Sequence, residues 1–187
     1  DIEGGKISLA AGGGEGGFGI RILDDGKFGF AYLVDVNSAD TAIKSALSIA
    51  RMSPSVPGFV LPSAQSAQQV SDLYDSSVVD MSSEDLLIQA DDIISEVASL
   101  DKRAVVTGGG IGVSANASAI FSSEGVDAAG VTTSHGVGVQ VSIDEGGQLT
   151  SSWQSKSSRS KITQANECVA RAVQWANLTR DPIKVET

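Results

Sequence analysis

The chain holds a single cysteine, Cys168, and a single histidine, His135, in 187 residues. One cysteine excludes an internal disulfide and a multi-cysteine zinc site, and it fits a reducing compartment. One histidine, with no cysteine or carboxylate cluster beside it, excludes the usual catalytic zinc set of three protein ligands. Aromatic residues make up only 5% of the sequence, so the core is lean and built from aliphatic and small side chains. Basic residues are few as well: 13 against 23 acidic ones, for a net charge of −10, and none between Ala104 and Ser155. The basic stripe that nucleic-acid binding requires is therefore missing. No apolar run approaches the roughly 18 residues of a membrane-spanning helix, and no signal-peptide pattern is visible. Asp1-Ile2-Glu3 begins inside a strand pattern, and residues upstream of it are expected.

Glycine is abundant, and it appears in a repeated frame. Gly17-Phe18-Gly19-Ile20-Arg21-Ile22 aligns without a gap with Gly136-Val137-Gly138-Val139-Gln140-Val141. An acidic, glycine-containing turn follows each copy: Asp24-Asp25-Gly26 in the first and Asp144-Glu145-Gly146-Gly147 in the second. Such turns between alternating apolar runs mark β-hairpins. A helix is expected after the first hairpin, capped by Asn37 or Ser38 and running to Arg51, with Ala39, Ile43, Ala46, Leu47 and Ala50 inward. A proline-punctuated linker follows (Pro54, Pro57, Pro62). The next helix starts near Ser82 or Ser83 and ends near Leu100, with Leu87, Ala90, Ile94 and Val97 on its apolar face. "AVVTGG" and "GVSANASAIF" read as one long strand bent by a bulge at Gly108-Gly109-Gly110. The second hairpin comes next, and then a last helix over about Ile162 to Asn177, in which Cys168 is a small buried residue. Hairpins in succession with segregated helices predict an α+β fold with a largely antiparallel sheet, containing a duplicated strand-hairpin-helix unit. Residues 1–187 form one domain on this reading: a first unit over 1–52, a linker over 53–82, and a helix with the second unit over 83–187. Pairing of the two hairpins in one sheet would make the repeat a scaffold.

Five features invite a chemical reading. Gly108-Gly109-Gly110 after an apolar strand, with Asp127 downstream, suggests a dinucleotide site. That site needs a helix to open at the glycines, and Val113, Ala115, Ala117, Ala119 and Phe121 alternate as a strand instead. His135 reads as a turn residue, and Ser134-His135 has no third partner to make a triad. The pairs Asp24/Asp25 and Asp91/Asp92 read as a solvated turn and a helix face. "NAS" at Asn116 and "NLT" at Asn177 match glycosylation sequons in a chain with no sign of secretion. Arg21 projects between glycines opposite the apolar face of the first hairpin. It is the one named candidate for a contact to a peptide or partner, against a surface ion pair as the alternative.

In order and spacing the motifs resemble the N-terminal domain of the TldD/PmbA family (PmbA is also called TldE), known as modulators of DNA gyrase and as metalloproteases. The resemblance rests on "GFGIRILDDGKFGFAYL", the linker ending in Leu61-Pro62, and the helix "SSEDLLIQADDIISEVASLDKRAVV". It also rests on the "SSEGVD" turn, the "GVGVQVSI" strand and the last Ala-rich helix before "DPIKVET". It implies a cytoplasmic, zinc-dependent peptidase assembly, a homodimer or a heterodimer with a TldD- or PmbA-type subunit, acting on extended peptides. The gyrase name then reflects proteolysis rather than DNA binding. The metal motif of the family, of His-Glu-x-x-x-His type, is absent from this sequence. The expectation is therefore a non-catalytic domain that carries no catalytic, metal or cofactor residue, with zinc supplied elsewhere in the assembly. Such a domain helps enclose the peptide chamber and presents backbone at a sheet edge, where side-chain identity matters little. The segment Ser53–Met81 and that edge are the expected contact surfaces. A stand-alone binding or assembly module is the alternative, and a nucleotide-dependent enzyme using the Gly108 region is the third class.

Overall fold

A computed structural model describes residues 1–65 and 70–180. Part of the linker (66–69) and the closing "DPIKVET" quoted for the resemblance lie outside the described residues. In chain order the elements are β1 (Ile2–Glu3), β2 (Lys6–Ile7), β3 (Phe18–Asp24), β4 (Lys27–Leu33), α1 (Ala39–Met52), α2 (Ser76–Val79), α3 (Ser83–Leu100), β5 (Ala104–Phe121), β6 (Asp127–Glu145), β7 (Gln148–Ser158) and α4 (Asn166–Leu178). The fold is α+β, with a mostly antiparallel sheet and helices packed on it. The chain forms two compact units: Asp1–Ala11 with Gln68–Ser118 and Ala129–Thr187, and Gly12–Ala67 with Ala119–Ala128.

The first unit is built on a five-stranded sheet in the order β2-β1-β5-β6-β7. Strand β6 alternates cleanly. Val137, Val139, Val141 and Ile143 are buried, together with Ala90, Ile93 and Val97 of α3 and Val169, Ala172 and Val173 of α4. Burial of each such valine or isoleucine is worth about 1.5–3 kcal/mol. The start of α3 is fixed by a capping box: Ser82 accepts from the Asp85 amide, and Asp85 accepts from the Ser82 amide. Cys168 is buried in α4, as expected. Ile162 and Ala165 are buried too, but they precede the helix rather than open it.

Strand β5 is one continuous strand with a slip at its glycines. Ala104 and Val106 face the core, yet past the glycines it is Ile111, an odd-numbered residue, that packs there. Between them, Thr107 Oγ1 meets Ser142 Oγ at 2.8 Å, while a Cβ on the adjacent Gly108 would point at the Gln140 side chain. Two neighbouring residues on one face are the signature of an inserted residue, so the bulge expected at Gly108–Gly110 is present. Gly109, at φ +154, lies so close to the Gly138 carbonyl that a Cβ would collide with it. No helix opens at these glycines.

The second unit carries the first hairpin. Strands β3 and β4 pair from Phe18↔Leu33 to Asp24↔Lys27. The two turn residues between them, Asp25 and Gly26, have φ of 51° and 72°, as a type I′ turn demands. Helix α1 lies directly on Gly29, where a Cβ would overlap the Ala46 carbonyl and come within 2.6 Å of the Ala50 amide nitrogen. The buried stripe of α1 is accordingly Ala42, Ala46 and Ala50. Ile43, expected inward, is exposed, because only alanines let the helix backbone reach the strand. Ser38 stands at the N-cap of α1, as expected, but makes no side-chain capping bond, and Asp35 caps the short 3₁₀ turn before it.

Two expectations are corrected. The repeated hairpins do not share a sheet: β3–β4 is a two-stranded sheet of its own, while β6–β7 closes the five-stranded one. Each copy buries its apolar face under its own helices, so neither needs the other. The linker is also not uniformly peripheral. Its last part forms α2, with Val78 buried, and Thr133 of β6 receives it: the Thr133 amide donates to Leu73 O (2.9 Å) and the Asp75 amide donates to Thr133 Oγ1 (3.0 Å).

Candidate functional site

Arg21 is exposed on β3, directly across from Phe30. Its guanidinium carbon sits 5.8 Å from the centroid of the Phe28 ring. The contact is a cation–π one, in place of the ion pair weighed as the alternative. Phe28 also meets Phe59 edge to face, at 6.2 Å between centroids. Arg21 therefore belongs to an open aromatic face of the hairpin on which Phe30 and Tyr32 are 45% and 61% exposed. The carboxylate pairs behave as expected. Asp24 pairs with Arg51 at 3.3 Å, and Asp91 and Asp92 lie on the exposed side of α3.

His135 is not a turn residue. It lies within β6, fully buried on the core face, one alternation before Val137. Its Nδ1 accepts from the Ile162 amide at 2.9 Å, and its Nε2 lies 3.0 Å from Gln89 Oε1. Both ring nitrogens are thus engaged by protein. Burial pushes the imidazole below its ordinary range, and nearby Lys161 pushes it the same way. Cys168 is buried, and burial pushes its thiol up, away from the thiolate a metal or substrate would need. Among the described residues no three His, Cys, Asp or Glu side chains come together as a metal site. The donor set among the described residues does not fit zinc.

The sequon at Asn177 is occupied by structure. Its Nδ2 donates to Asp101 Oδ2 (3.2 Å) and to Val173 O (3.2 Å). Arg103 forks onto Asp101 through Nε (3.0 Å) and Nη2 (2.7 Å), and it reaches Glu145 through Nη1 at 2.6 Å. Arg180 joins Glu145 as well. These bonds tie the end of α3, the start of β5, the β6–β7 turn and the end of α4 into one charged knot.

The sheet face away from α3 and α4 carries a shallow groove of about 450 Å³. Gly109, Gly110, Gly136 and Gly138 line it, with Trp153 and Ser155 beside them. The indole of Trp153 covers Gly138, where a Cβ would lie 2.7 Å from the ring, and the residue is still 54% exposed. The sequence reading passed over this groove. Its signal was a tryptophan on β7 across the strands from a glycine on β6, a pairing that covers the bare backbone of the glycine. Beside it runs the outer edge of β7, the terminal strand of the sheet.

Residues 1–50 match the sequence profile of the family described as PmbA/TldA metallopeptidase domain 1. Over those residues the chain is similar to the PmbA/TldD family. Its fold is that of TldE from Thermococcus kodakarensis, with a TM-score of 0.87 at 23% identity over 94% of this chain and 40% of that one. A candidate modulator of a DNA gyrase from Thermotoga maritima aligns with a TM-score of 0.83 at 16% identity, over 94% of this chain and 40% of that one. Another, from Bacteroides thetaiotaomicron, aligns at 0.79 with 20% identity, over 92% and 41%. The chain thus spans about two fifths of the length of the solved structures it matches. No curated protein matches it. No helix among the described residues is long and apolar enough to cross a membrane.

Proposed function

We propose that this chain is the non-catalytic first domain of a PmbA/TldD-type zinc metallopeptidase assembly in the cytoplasm, where it helps enclose the peptide chamber and contributes to dimerisation. The observation that carries the reading is the match of residues 1–50 to a metallopeptidase first domain. The shared fold with TldE supports it. A donor inventory of one His and one Cys supports a metal held in another part of the assembly, and no catalytic step is assigned to these residues.

Their part is to hold an extended peptide. The outer edge of β7 offers backbone amides and carbonyls in strand geometry, and an extended substrate pairs there with little demand on its sequence. Arg21 and the segment 53–65 supply further contacts to peptide or to a second subunit. The absence of a basic stripe agrees with a peptide rather than a nucleic-acid ligand.

The test is peptide cleavage by the full-length protein, alone and mixed with a second subunit of the family, with zinc content measured in parallel. The expected result is zinc-dependent cleavage by the assembly and no stoichiometric zinc in the 187-residue chain alone. Arg21→Ala should leave zinc content unchanged and lower turnover by about fivefold at most, since an exposed charge contact is worth about 1 kcal/mol or less. Tight one-to-one zinc in the 187-residue chain, or an assembly that holds zinc and cleaves no peptide, refutes the assignment.

A further inference from the structure

The core face of β6 changes character along its length. From Val137 to Ile143 it is aliphatic and lies in the core with α3 and α4. At Thr133 and His135, both fully buried, it turns polar. There it meets the strap that joins β7 to α4, residues 159–165. Thr133 Oγ1 donates to Arg159 O at 2.6 Å, and Arg159 Nη1 donates back to Thr133 O at 3.2 Å. His135 and Gln89 hold the other end of the strap at Ile162.

The proton positions at Ile162 are dictated by its backbone. A carbonyl can only accept, so the group of Gln89 facing Ile162 O, at 3.1 Å, is the Nε2 amide. Gln89 Oε1 then faces His135 Nε2, which must carry the proton. An amide can only donate, so the His135 Nδ1 that faces Ile162 N–H must be bare. The ring is neutral, in the Nε2–H form, and a proton on Nδ1 would set one N–H against another. We propose that His135 is an acid-released latch: a proton taken up at Nδ1 breaks the bond to the Ile162 amide and frees the strap ahead of α4.

The charged and titratable groups around the latch come from each neighbouring element. The strap brings Lys161 and Arg159, the segment before α2 brings Asp75, and α3 brings Asp85. Lys161 acts on His135 in the same direction as burial. The Asp75 carboxylate accepts from the Ser77 amide and that of Asp85 from the Ser82 amide, and both also face the strap, Asp75 at Ser160 and Lys161 and Asp85 at Lys161. Arg159 spends its guanidinium on Thr133 O. The latch therefore stays shut at neutral pH. Below about pH 6.5, where a free imidazole takes its proton, the open strap gains on the closed one by about tenfold per pH unit until His135 titrates in place.

Because His135 is the only histidine, its ring nitrogens can be followed by NMR in the 187-residue chain without assignment ambiguity. The expected result is the Nε2–H tautomer at pH 7.5. Hydrogen-exchange protection of the Ile162 amide, corrected for intrinsic rate, should then fall about tenfold per pH unit in the window described. One variant checks the coupling. Lys161→Gln, at an exposed position, should raise the pH at which His135 titrates in place and so shrink the total loss of Ile162 protection, with the onset of that loss unmoved. An Nδ1–H tautomer at pH 7.5, Ile162 protection flat between about pH 6.5 and the in-place titration of His135, or a Lys161→Gln variant that raises that titration without shrinking the loss of protection overturns the latch.

Discussion

Thr150 gives the sharpest test of how the first unit is packed. It sits on β7 opposite Ile143, on the core side of the sheet. Its hydroxyl oxygen is buried and has no hydrogen-bond partner among the described residues. Leaving such a group unsatisfied costs about 1–3 kcal/mol. Thr150→Val keeps the β-branched shape, removes the orphan and adds a buried methyl, worth about 0.8 kcal/mol. A close-packed core absorbs part of that gain as strain, so a net stabilisation of about 1–2 kcal/mol is expected. For a chain of this size that is about 3–6 °C in Tm. Urea unfolding can be followed by tryptophan fluorescence. Trp153 lies on β7 and Trp175 on α4, so both report the unit that contains Thr150. Thr150→Ser is the control: it keeps the hydroxyl, loses the methyl and should destabilise. A valine variant less stable than the wild type would mean that the hydroxyl is bonded after all, and the packing account of this site would be wrong.

Two further outcomes follow from the geometry. Gly29→Ala should cost more than about 3 kcal/mol or abolish folding of the hairpin unit, because its methyl would meet the backbone of α1 rather than a side chain that can yield; near-UV circular dichroism and urea unfolding would measure this. Asp101 is held well below the usual carboxylate range, chiefly by the forked bond from Arg103. A carboxyl so depressed binds fewer protons in the folded than in the unfolded chain, so its stabilisation is complete above about pH 4 and is lost as pH falls below that. Asp101→Asn should flatten the acid limb of the stability profile while leaving the strap at Ile162 latched, as read by hydrogen exchange.

Most of the elements were legible because their signals are local. The Asp25-Gly26 turn, the capping box at Ser82 and Asp85, and the even-to-odd slip at the Gly108 run all act within a few residues. The buried face of α1 was legible in part. Helical spacing placed Ala46 and Ala50 inward, as they are, but it favoured the larger Ile43, and only the bare Gly29 strand puts Ala42 in its place. The pairing of the two hairpins was likewise misjudged, because similarity in sequence records similar burial, and each copy meets its own helices. His135 shows the same limit. A lone histidine after a serine carries no mark of burial, and its partners Gln89 and Ile162 are far from it in the chain. Arg21 was placed correctly on the open face, but its neighbour Phe28 lies on the return strand, and the choice between ring and carboxylate was not in the local pattern.

Strand β7 has a consequence for anyone handling the isolated chain. It is 11 residues long, it has no partner along its outer side among the described residues, and Lys156 is its only charge. Natural sheets protect such margins with lysines, prolines or bulges that spoil pairing with a neighbour. This margin is serine-rich, regular and almost uncharged, so two copies meeting in solution can join their sheets edge to edge. The chain kept alone at high concentration is therefore prone to ordered self-association, and the net charge of −10 is its main defence. Raising the salt removes that defence first.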